Sequence, residues 1–346
     1  MGNQIRYRYD LEENLFRLLW DMNNGTFQPS RLREKQIYYP KRRVAQVPSL
    51  NDKIVQHIIV DYHAYALMVK PLIKEASANT KGRGTDYGRD ILIEHLRRFW
   101  RLHKKPPYIL KGDVHSFFAS IPHGRLLELI REHIEDADVR RIMESFVGLT
   151  ERGSPLGLQQ SQLTSNLYLS DFDHKIKEAW HEPFYGRHMD DFYVLSESRE
   201  RLDEILNWAR EYLGGIGLEL NPKTAITIRS FDYLGYRFIV SDSGKVIVRL
   251  APGKLKSKRR HLRKISDQLA RGEIEPERAE AAYFGWRVHA VKARNARTQI
   301  LKTDAYFDGY LQKAGYKLYI VPHEKGKIKW RVAILAERGN NAQNNQ

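Results

Sequence analysis

The stretch Phe184-Tyr-Gly-Arg-His-Met-Asp-Asp-Phe-Tyr-Val-Leu195 places the adjacent carboxylates of Asp190 and Asp191 between two aromatic-rich runs. Both runs suit a pleated strand, and Asp tolerates turn geometry, so the pattern predicts a hairpin with acid at its tip. Two adjacent anions repel each other, and a divalent cation within reach of both would stabilise them. Taken alone, the pair is more typical of a solvated turn, so its meaning depends on the rest of the chain.

A second acid lies in the stretch PPYILKGDVHSFFASI, from Pro106 to Ile121. The two prolines punctuate the chain, and the following residues predict a strand over 108–114, with Asp113 near its C-terminal end. A single Asp in this place is ambiguous between a site residue and a solvated strand end. Its importance depends on whether the fold brings it to the acidic hairpin.

Hydrophobic periodicity predicts that helices surround these strands. The helices are expected over 11–23, 51–70, 91–102, 126–147, 161–180, 202–213, 254–271 and 276–296, with a strand and turn over 218–226, a hairpin over 231–240 and a strand pair over 316–335. In the 51–70 helix, the residues expected to face inward are Ile54, Val55, Ile58, Ile59 and Tyr62. This mixture of helices and strands predicts the α+β class.

Composition restricts the partners of the protein. The 346 residues carry a formal charge of +16 and are 42% hydrophobic, which excludes a disordered chain and favours a polyanion such as nucleic acid or an anionic membrane as partner. Zero cysteines exclude disulfides and thiolate metal sites. The most apolar run, residues 54–69, is interrupted by four polar residues, and the N-terminus has no signal-peptide core, so we expect a cytoplasmic protein without membrane association.

Two segments concentrate positive charge. The extended segment from Ile37 to Pro48 carries Lys41, Arg42 and Arg43, which would hold a triphosphate or form a solvated edge. The helix over 254–271 has eight Lys or Arg residues and one acid, so it would follow a phosphate backbone or present a solvated face.

The order of these features resembles that of the reverse transcriptases over about residues 36–300. The order is the basic segment, the Asp113 strand, the helix with Gln162 and Asn166, the acidic hairpin, the segment with Lys223, the hairpin at Leu234-Gly235-Tyr236 and the basic helix. The palm motif of that family is usually Tyr-X-Asp-Asp, and here it is His188-Met189-Asp190-Asp191. The resemblance implies a right-hand polymerase with fingers over 1–105, a palm over 106–121 and 155–248, a connection over 122–154, and a basic helical thumb and extension over 249–338. The composition of residues 339–346 separately predicts a disordered tail.

The chemistry of such an enzyme explains the three acids. A primer 3′-hydroxyl attacks the α-phosphate of a nucleotide, and two cations about 4 Å apart stabilise the entering and leaving oxygens. By resemblance, Asp113, Asp190 and Asp191 would hold two Mg²⁺ ions, for which Mn²⁺ can substitute, with help from the backbone at Val114. The implied partners are an RNA template, a nucleic-acid primer and deoxynucleoside triphosphates.

The resemblance also assigns residues around the nucleotide. Lys41 and Arg43 would hold the triphosphate, and Phe118 would exclude a 2′-hydroxyl, although Phe118 could also pack in the core with Phe117. Lys223 would protonate the leaving pyrophosphate, or it could be an ordinary exposed lysine. Template and primer would contact Gly235, Tyr236 and the cations of the basic helix, Lys254, Lys256, Lys258, Arg259, Arg260 and Arg263.

One departure from the usual pattern points to a subgroup. Many relatives have Pro-Gln-Gly before the long helix, whereas this chain has Pro155-Leu156-Gly157 followed by Leu158-Gln-Gln-Ser-Gln162. This pattern is similar to that of the enzymes of diversity-generating retroelements, which copy a template RNA with frequent errors at adenines and act with a small basic accessory protein. By resemblance, Leu156 and Gln162 would contact the nucleotide, and Leu156 would lower fidelity by replacing a hydrogen-bonding contact.

Two other interpretations remain open from the sequence. The same chemistry would serve an antiphage-defence, retron-like or CRISPR-associated reverse transcriptase. A non-catalytic RNA-binding protein on a polymerase-like fold would be expected to lack the acids, whereas Asp113, Asp190 and Asp191 are all present.

Overall fold

The computed structural model describes residues 7, 9–37, 43–322 and 330–336. The chain divides into two compact units, Met1–Ile228 and Arg229–Gln346. The first unit contains α1 Leu11–Asn23, β1 Arg33–Ile37, β2 Arg43–Val47, α2 Leu50–Ile58, α3 Tyr65–Val69, α4 Thr85–His103, β3 Tyr108–Asp113, α5 Phe117–Ser120, α6 His123–His133, α7 Ala137–Val147, α8 Gln159–Tyr168, α9 Ser170–His174, β4 Tyr185–His188, β5 Asp191–Ser196, α10 Arg199–Gly215 and β6 Ala225–Ile228. The predicted α+β class is confirmed.

The second unit contains β7 Ser230–Tyr233, β8 Tyr236–Val240, β9 Val246–Leu250, α11 Pro252–Ala270, α12 Pro276–Ala290, α13 Arg297–Lys313, β10 Tyr316–Pro322 and β11 Trp330–Ala336. Strands β7, β8 and β9 form an antiparallel meander, and β10 pairs with β11. Part of the core of this unit is a cluster that includes Leu262, Tyr283 and Phe307.

The central sheet of the first unit has the strand order β4-β5-β3-β6, and all its pairs are antiparallel. Strand β5 is buried from Phe192 to Ser196, because α10 packs against β3 and β5. Gly112 on β3 is required by this packing: a Cβ there would lie 2.1 Å from the ring of Phe192. The sheet is thus held in one register, and that register positions the acids.

Three of the helix predictions were wrong in detail. The helix expected over 161–180 is interrupted at Leu169, between α8 and α9, and it ends in a π-helical segment, Lys175–Ala179. The helix expected over 126–147 is two helices, because Ile134 is extended and Asp136 caps α7 by accepting from the backbone N–H groups of Asp138 and Val139. In the 51–70 region, α2 continues into a π-helical segment, Ile59–Ala64, before α3. That change of pitch leaves Tyr62 76% exposed rather than inward, whereas Val55 and Ile59 are buried as predicted.

Several other boundaries differ slightly from the sequence expectation. The helix expected to reach residue 296 ends at Ala290, and the segment expected as a strand over 218–226 becomes regular only in β6. The strand pair over 316–335 is present, while the turn between its strands and the tail over 339–346 lie outside the described residues. Among the described helices, none combines the length and the apolar character that a bilayer crossing requires.

Candidate active site

The hairpin tip is formed by β4, β5 and the two residues between them. Met189 has φ +57°, the left-handed conformation that turns the chain, and Asp190 follows it. His188 pairs with Asp191 across the hairpin. His188 Nδ1 also lies 2.9 Å from the hydroxyl of Ser77, so this position has a packing and hydrogen-bonding role behind the acids.

The register of the sheet brings Asp113 to the hairpin tip. Asp113 is directly opposite Asp191 in the β3–β5 pair, so the two side chains leave the sheet on the same face. The backbone N–H of Val114 donates to the carbonyl of Asp190 at 3.2 Å. The structure therefore brings together the three acids that lie far apart in the sequence.

Burial and neighbouring carboxylates raise the pKa of two of the acids, Asp113 and Asp190. Burial, followed by the charge of Asp191, raises the pKa of Asp113. Burial, together with the charges of Asp191 and Asp113, raises the pKa of Asp190 to about 6. Both shifts reflect negative charge that is concentrated and partly removed from water. The site therefore attracts cations.

Two polar partners hold this cluster, and the sequence interpretation missed both. The ammonium of Lys111 lies 2.7 Å from Asp191 Oδ1, and Asn221 Nδ2 donates to Asp113 Oδ2 at 3.0 Å. Lys111 could have been found from the sequence, because it lies two residues before Asp113 and so on the same face of the strand. Asn221 gave no such signal, since a loop brings it there.

The acids fit a magnesium site that shares its ligands with a substrate. Within the described ranges, no three acidic, histidine or cysteine side chains are already grouped as a metal-ligand set. Mg²⁺, however, needs only one or two carboxylates when water and substrate phosphates complete its shell. Asp113 and Asp190 meet that need, because their raised pKa values indicate negative charge that a cation would balance.

The backbone at Val114 is also suited to such a site. Val114 forms an isolated antiparallel bridge with Leu220, but the flanking residues make the hydrogen bonds: Asn221 N donates to Asp113 O, and His115 N donates to Glu219 O. This is the pattern of a non-hydrogen-bonded pair, so the bridge does not consume the Val114 carbonyl.

Phe118 and Leu156 line one cavity of about 250 Å³ in the first unit. Phe118 is half-buried, and Leu156 is 36% exposed. The loop that carries Leu156 is held against β2, since Gln46 N donates to the carbonyl of Leu156 at 2.9 Å. The next residue, Gly157, has φ +118°, and a Cβ there would lie 2.3 Å from the Gln46 carbonyl, so this close approach requires glycine.

The remaining predicted residues of the first unit are near the acids or outside the described part. Gln162 is exposed at the start of α8, and its carbonyl accepts from Asn79 Nδ2, which also contacts the sulfur of Met189. Lys223 is exposed, and its backbone N–H donates to the side chain of Asn221. Lys41 lies outside the described residues; of Arg43, only the backbone in β2 is described.

In the second unit, Gly235 lies in the turn between β7 and β8, and Tyr236 is the first residue of β8. Gly235 has φ +84°, as a tight turn requires. The ring of Tyr236 is fully buried and stacks on His289 at 4.5 Å between ring centroids. Tyr236 is therefore a packing residue, whereas Leu234 and Gly235 in the turn before it are partly exposed.

Five of the six cations predicted on the basic helix lie on the outside of α11. Lys254, Lys256, Arg260 and Arg263 are exposed, and the Arg259 guanidinium lies over the ring of Tyr306 beside a groove of about 440 Å³. Lys258 is the exception and corrects the sequence expectation: its side chain is buried and donates to the Ala282 carbonyl at 3.0 Å. Burial lowers the pKa of Lys258 to about 8.

Comparison with known proteins identifies relatives of the segment that holds these acids. Residues 33–238 match a family described as reverse transcriptase (RNA-dependent DNA polymerase). Protein YkfC of Escherichia coli K12 is 26% identical over 180 residues, which cover 46% of this chain and 44% of that protein. An uncharacterized 91 kDa protein in the cob intron of Schizosaccharomyces pombe is 27% identical over 184 residues, 47% of this chain and 22% of that protein. The chain spans less than half the length of these curated relatives.

Among solved structures, the chain is similar to telomerases. Apo telomerase from Candida tropicalis shares 12% identity at a TM-score of 0.49, covering 88% of this chain and 67% of that chain. Telomerase from Candida albicans in complex with a TWJ fragment of telomeric RNA shares 12% identity at a TM-score of 0.47, covering 88% and 64%.

Proposed function

The chain belongs to the reverse transcriptase family, and from this premise we propose that it is an RNA-directed DNA polymerase that copies an RNA template by two-metal nucleotidyl transfer. The observation that carries the proposal is the pairing of Asp113 with Asp191 beside Asp190 at the end of the central sheet. A non-catalytic RNA-binding protein would have no reason to keep this repulsive group of acids.

The proposed roles of the acids follow from their surroundings. Asp113 and Asp190, with the Val114 carbonyl, would hold Mg²⁺, and Asp191 would contribute once its bond to Lys111 is exchanged. Bound Mg²⁺ supplies Lewis-acid stabilisation of the attacking 3′-oxygen and of the leaving pyrophosphate. The Lys111 ammonium meanwhile keeps part of the acidic charge balanced in the free protein.

The roles proposed around the nucleotide rest on the family resemblance. Lys41 and Arg43 would bind the triphosphate, and Lys223 would protonate the leaving pyrophosphate. Phe118 would exclude a 2′-hydroxyl by steric contact, and its place in the wall of a cavity supports that role. Replacement of Phe118 by Ala should raise ribonucleotide incorporation by at least about tenfold, because a steric block is lost. An unchanged ribonucleotide fraction would assign Phe118 to packing.

We further propose an error-prone enzyme of the diversity-generating type, acting in the fingers, palm and thumb arrangement expected from the sequence. Leu156 and Gln162 would contact the incoming nucleotide or the template base, and the exposed position of Leu156 at a cavity rim is consistent with this. Replacement of Leu156 by Gln restores a hydrogen-bonding side chain of similar length. It should reduce errors at template adenines, as measured by sequencing the cDNA, while Leu156→Met serves as the control. An unchanged error spectrum would refute the role of Leu156 and favour a defence-type or retron-like setting.

Helix α1 supports the proposal of a small basic accessory protein. It exposes a large apolar face, in which Phe16 is 71% and Trp20 is 69% exposed, although Leu18 on the other side is buried. The helix also carries Glu12 and Glu13 in its first turn, in a chain whose overall charge is +16. An apolar face with acidic residues at one end of the helix fits a basic partner with apolar contacts. Trp20→Ser should abolish co-purification with a small basic protein encoded beside this one, and Arg101→Ser, at an exposed position on α4, should not.

A primer-extension assay with Mg²⁺ on an RNA template tests the polymerase itself. The Asp190→Ala and Asp191→Ala double variant removes two of the three acids and should lose extension by at least about a thousandfold, since metal-assisted stabilisation is lost. Equal extension by the two proteins would end the proposal. If the wild-type protein extends the primer and the variant does not, sequencing the RNA that co-purifies with the protein would identify the template.

A further inference from the structure

Behind the acidic hairpin lies an arginine that the proposed chemistry does not use. Arg187, on β4, has a fully buried side chain, and its guanidinium forms an ion pair with Asp173, which is equally buried. Two oxygens of Asp173 accept from this guanidinium, from Nε at 2.7 Å and from Nη2 at 2.6 Å. Such a bidentate pair fixes the plane of the guanidinium.

The other donors of Arg187 reach two further elements. Nη1 donates to Asn166 Oδ1 at 2.9 Å and to the carbonyl of Met189 at 2.9 Å, while Nη2 donates to the carbonyl of Asn166 at 3.1 Å. An arginine has five N–H donors in a fixed fork, and all five are used here. The single side chain therefore ties α8, α9 and the hairpin tip together.

The hydrogen bond to Met189 is the one that bears on the site. Met189 is a non-glycine residue at φ +57°, a conformation that side chains adopt at a cost, and Asp190 is the next residue. Arg187 thus holds the peptide that sets the direction of the Asp190 carboxylate. Lysine could not replace it, because an ammonium has three donors and no fixed plane.

Stability alone does not explain this ion pair. Burying two charges costs solvation energy, and well-packed apolar residues in place of such a pair are often as stable or more stable. A buried pair of this kind is useful when its geometry matters. Here the geometry that it imposes is that of the turn carrying Asp190.

We propose that Arg187 is a positioning residue for nucleotidyl transfer: its fork, locked by Asp173 and Asn166, holds the Met189 turn so that Asp190 faces Asp113. The inference rests on the proposed polymerase function. Arg187 acts through the turn and does not contact the substrate.

Arg187→Lys tests the proposal, with Arg201→Lys as the matched control. Arg201 also pairs with a carboxylate, Glu182, and donates to a backbone carbonyl, that of Trp180, but it lies on α10 and these two partners are outside the hairpin tip. We expect Arg187→Lys to lower kcat by about 10 to 100-fold and to raise the Mg²⁺ concentration needed for half-maximal rate, because small displacements of a reacting group cost rates of this size. The KM for template-primer should stay unchanged, and the control should keep kcat within about twofold.

A second measurement does not depend on catalysis. Mn²⁺ binding to the protein without nucleic acid, followed by electron paramagnetic resonance, should weaken in Arg187→Lys and not in Arg201→Lys. If Arg187→Lys does not fold, Asp173→Asn is the second variant, because it keeps the shape of the side chain and weakens the bidentate bond to the Arg187 guanidinium. It should show smaller changes of the same kind in kcat, in the Mg²⁺ requirement and in Mn²⁺ affinity.

The outcomes distinguish failure of the positioning role of Arg187 from failure of the proposed polymerase function. If Arg187→Lys and Asp173→Asn match the control in kcat, Mg²⁺ dependence and Mn²⁺ affinity, the positioning role is overturned. If the wild-type protein extends no primer, the polymerase function fails instead, and the Mn²⁺ affinities still report whether Arg187 shapes the acidic site.

Discussion

Replacement of Asp190 by Asn should make the metal-free protein more stable while abolishing polymerase activity. The cause is the pKa of Asp190, which burial and the neighbouring acids raise from 3.8 to about 6. A group with a raised pKa in the folded state opposes folding when it is ionised. Asn has nearly the same shape without the charge, so the variant removes that penalty.

The magnitude follows from the size of the pKa change. A rise from 3.8 to about 6 corresponds to a free energy of about 3 kcal/mol between the two protonation states. Because the carboxylate keeps some contact with solvent, we expect about 2 kcal/mol of gained stability at pH 8. For a unit of this size, this gain raises the melting temperature by about 4 to 8 °C.

The pH dependence gives the sign of the effect. Stability that comes from a raised pKa is fully present below pH 3.8 and is lost as the pH rises through about 6. Wild type and Asp190→Asn should therefore melt at similar temperatures near pH 4. Between pH 4 and pH 7 the melting temperature of Asp190→Asn should rise progressively above that of the wild type. Above pH 7 this difference in melting temperature should stay constant.

The assay is thermal unfolding of both proteins in a chelating buffer across this pH range. Glu211→Gln, at an exposed position on α10, is the control for loss of one negative charge. Its melting temperature should follow that of the wild type at every pH. Added Mg²⁺ should stabilise the wild type and leave Asp190→Asn unchanged. A variant that melts at or below the wild-type temperature at pH 8, or a difference in melting temperature that persists at pH 4, would refute the reasoning.

Three further outcomes are expected. Lys111→Met should lower metal-free stability at pH 8 by about 1 kcal/mol in urea unfolding, because Asp191 loses its ion-pair partner; no change would mean that the pair is fully screened. In nucleic-acid binding measured at several salt concentrations, Lys256→Ala should reduce the slope of log K against log salt by about 1, whereas the buried Lys258→Met should leave it unchanged. Gly112→Ala should cost about 3 kcal/mol or more, because its methyl group would overlap an aromatic ring; a variant that unfolds like wild type in urea would contradict the packing.

The sequence predicted helices and strands correctly where the pattern of a few neighbouring residues was enough to determine the element. The hairpin around Asp190, the Asp113 strand and the basic helix all appear as expected, because strand alternation, turn residues and helical periodicity act over a few neighbours. The failures occurred where a helix cap or a change of helical pitch interrupted a run that periodicity predicted as one regular helix. The Asp136 cap divides one predicted helix, and the π-helical segment turns Tyr62 outward.

The amino-acid sequence by itself determined the class of the fold and the strands that carry the acids, and its charge of +16 predicts a polyanionic partner. Only the tertiary structure decided that Asp113 lies opposite Asp191, that Lys111 balances one of the acids, that Lys258 is buried, and that Arg187 holds the turn from behind. The reason is physical. Periodicity and charge are summed over neighbours along the chain, whereas a pKa, an ion pair or a buried donor depends on atoms that only the packing of distant segments brings within a few ångströms.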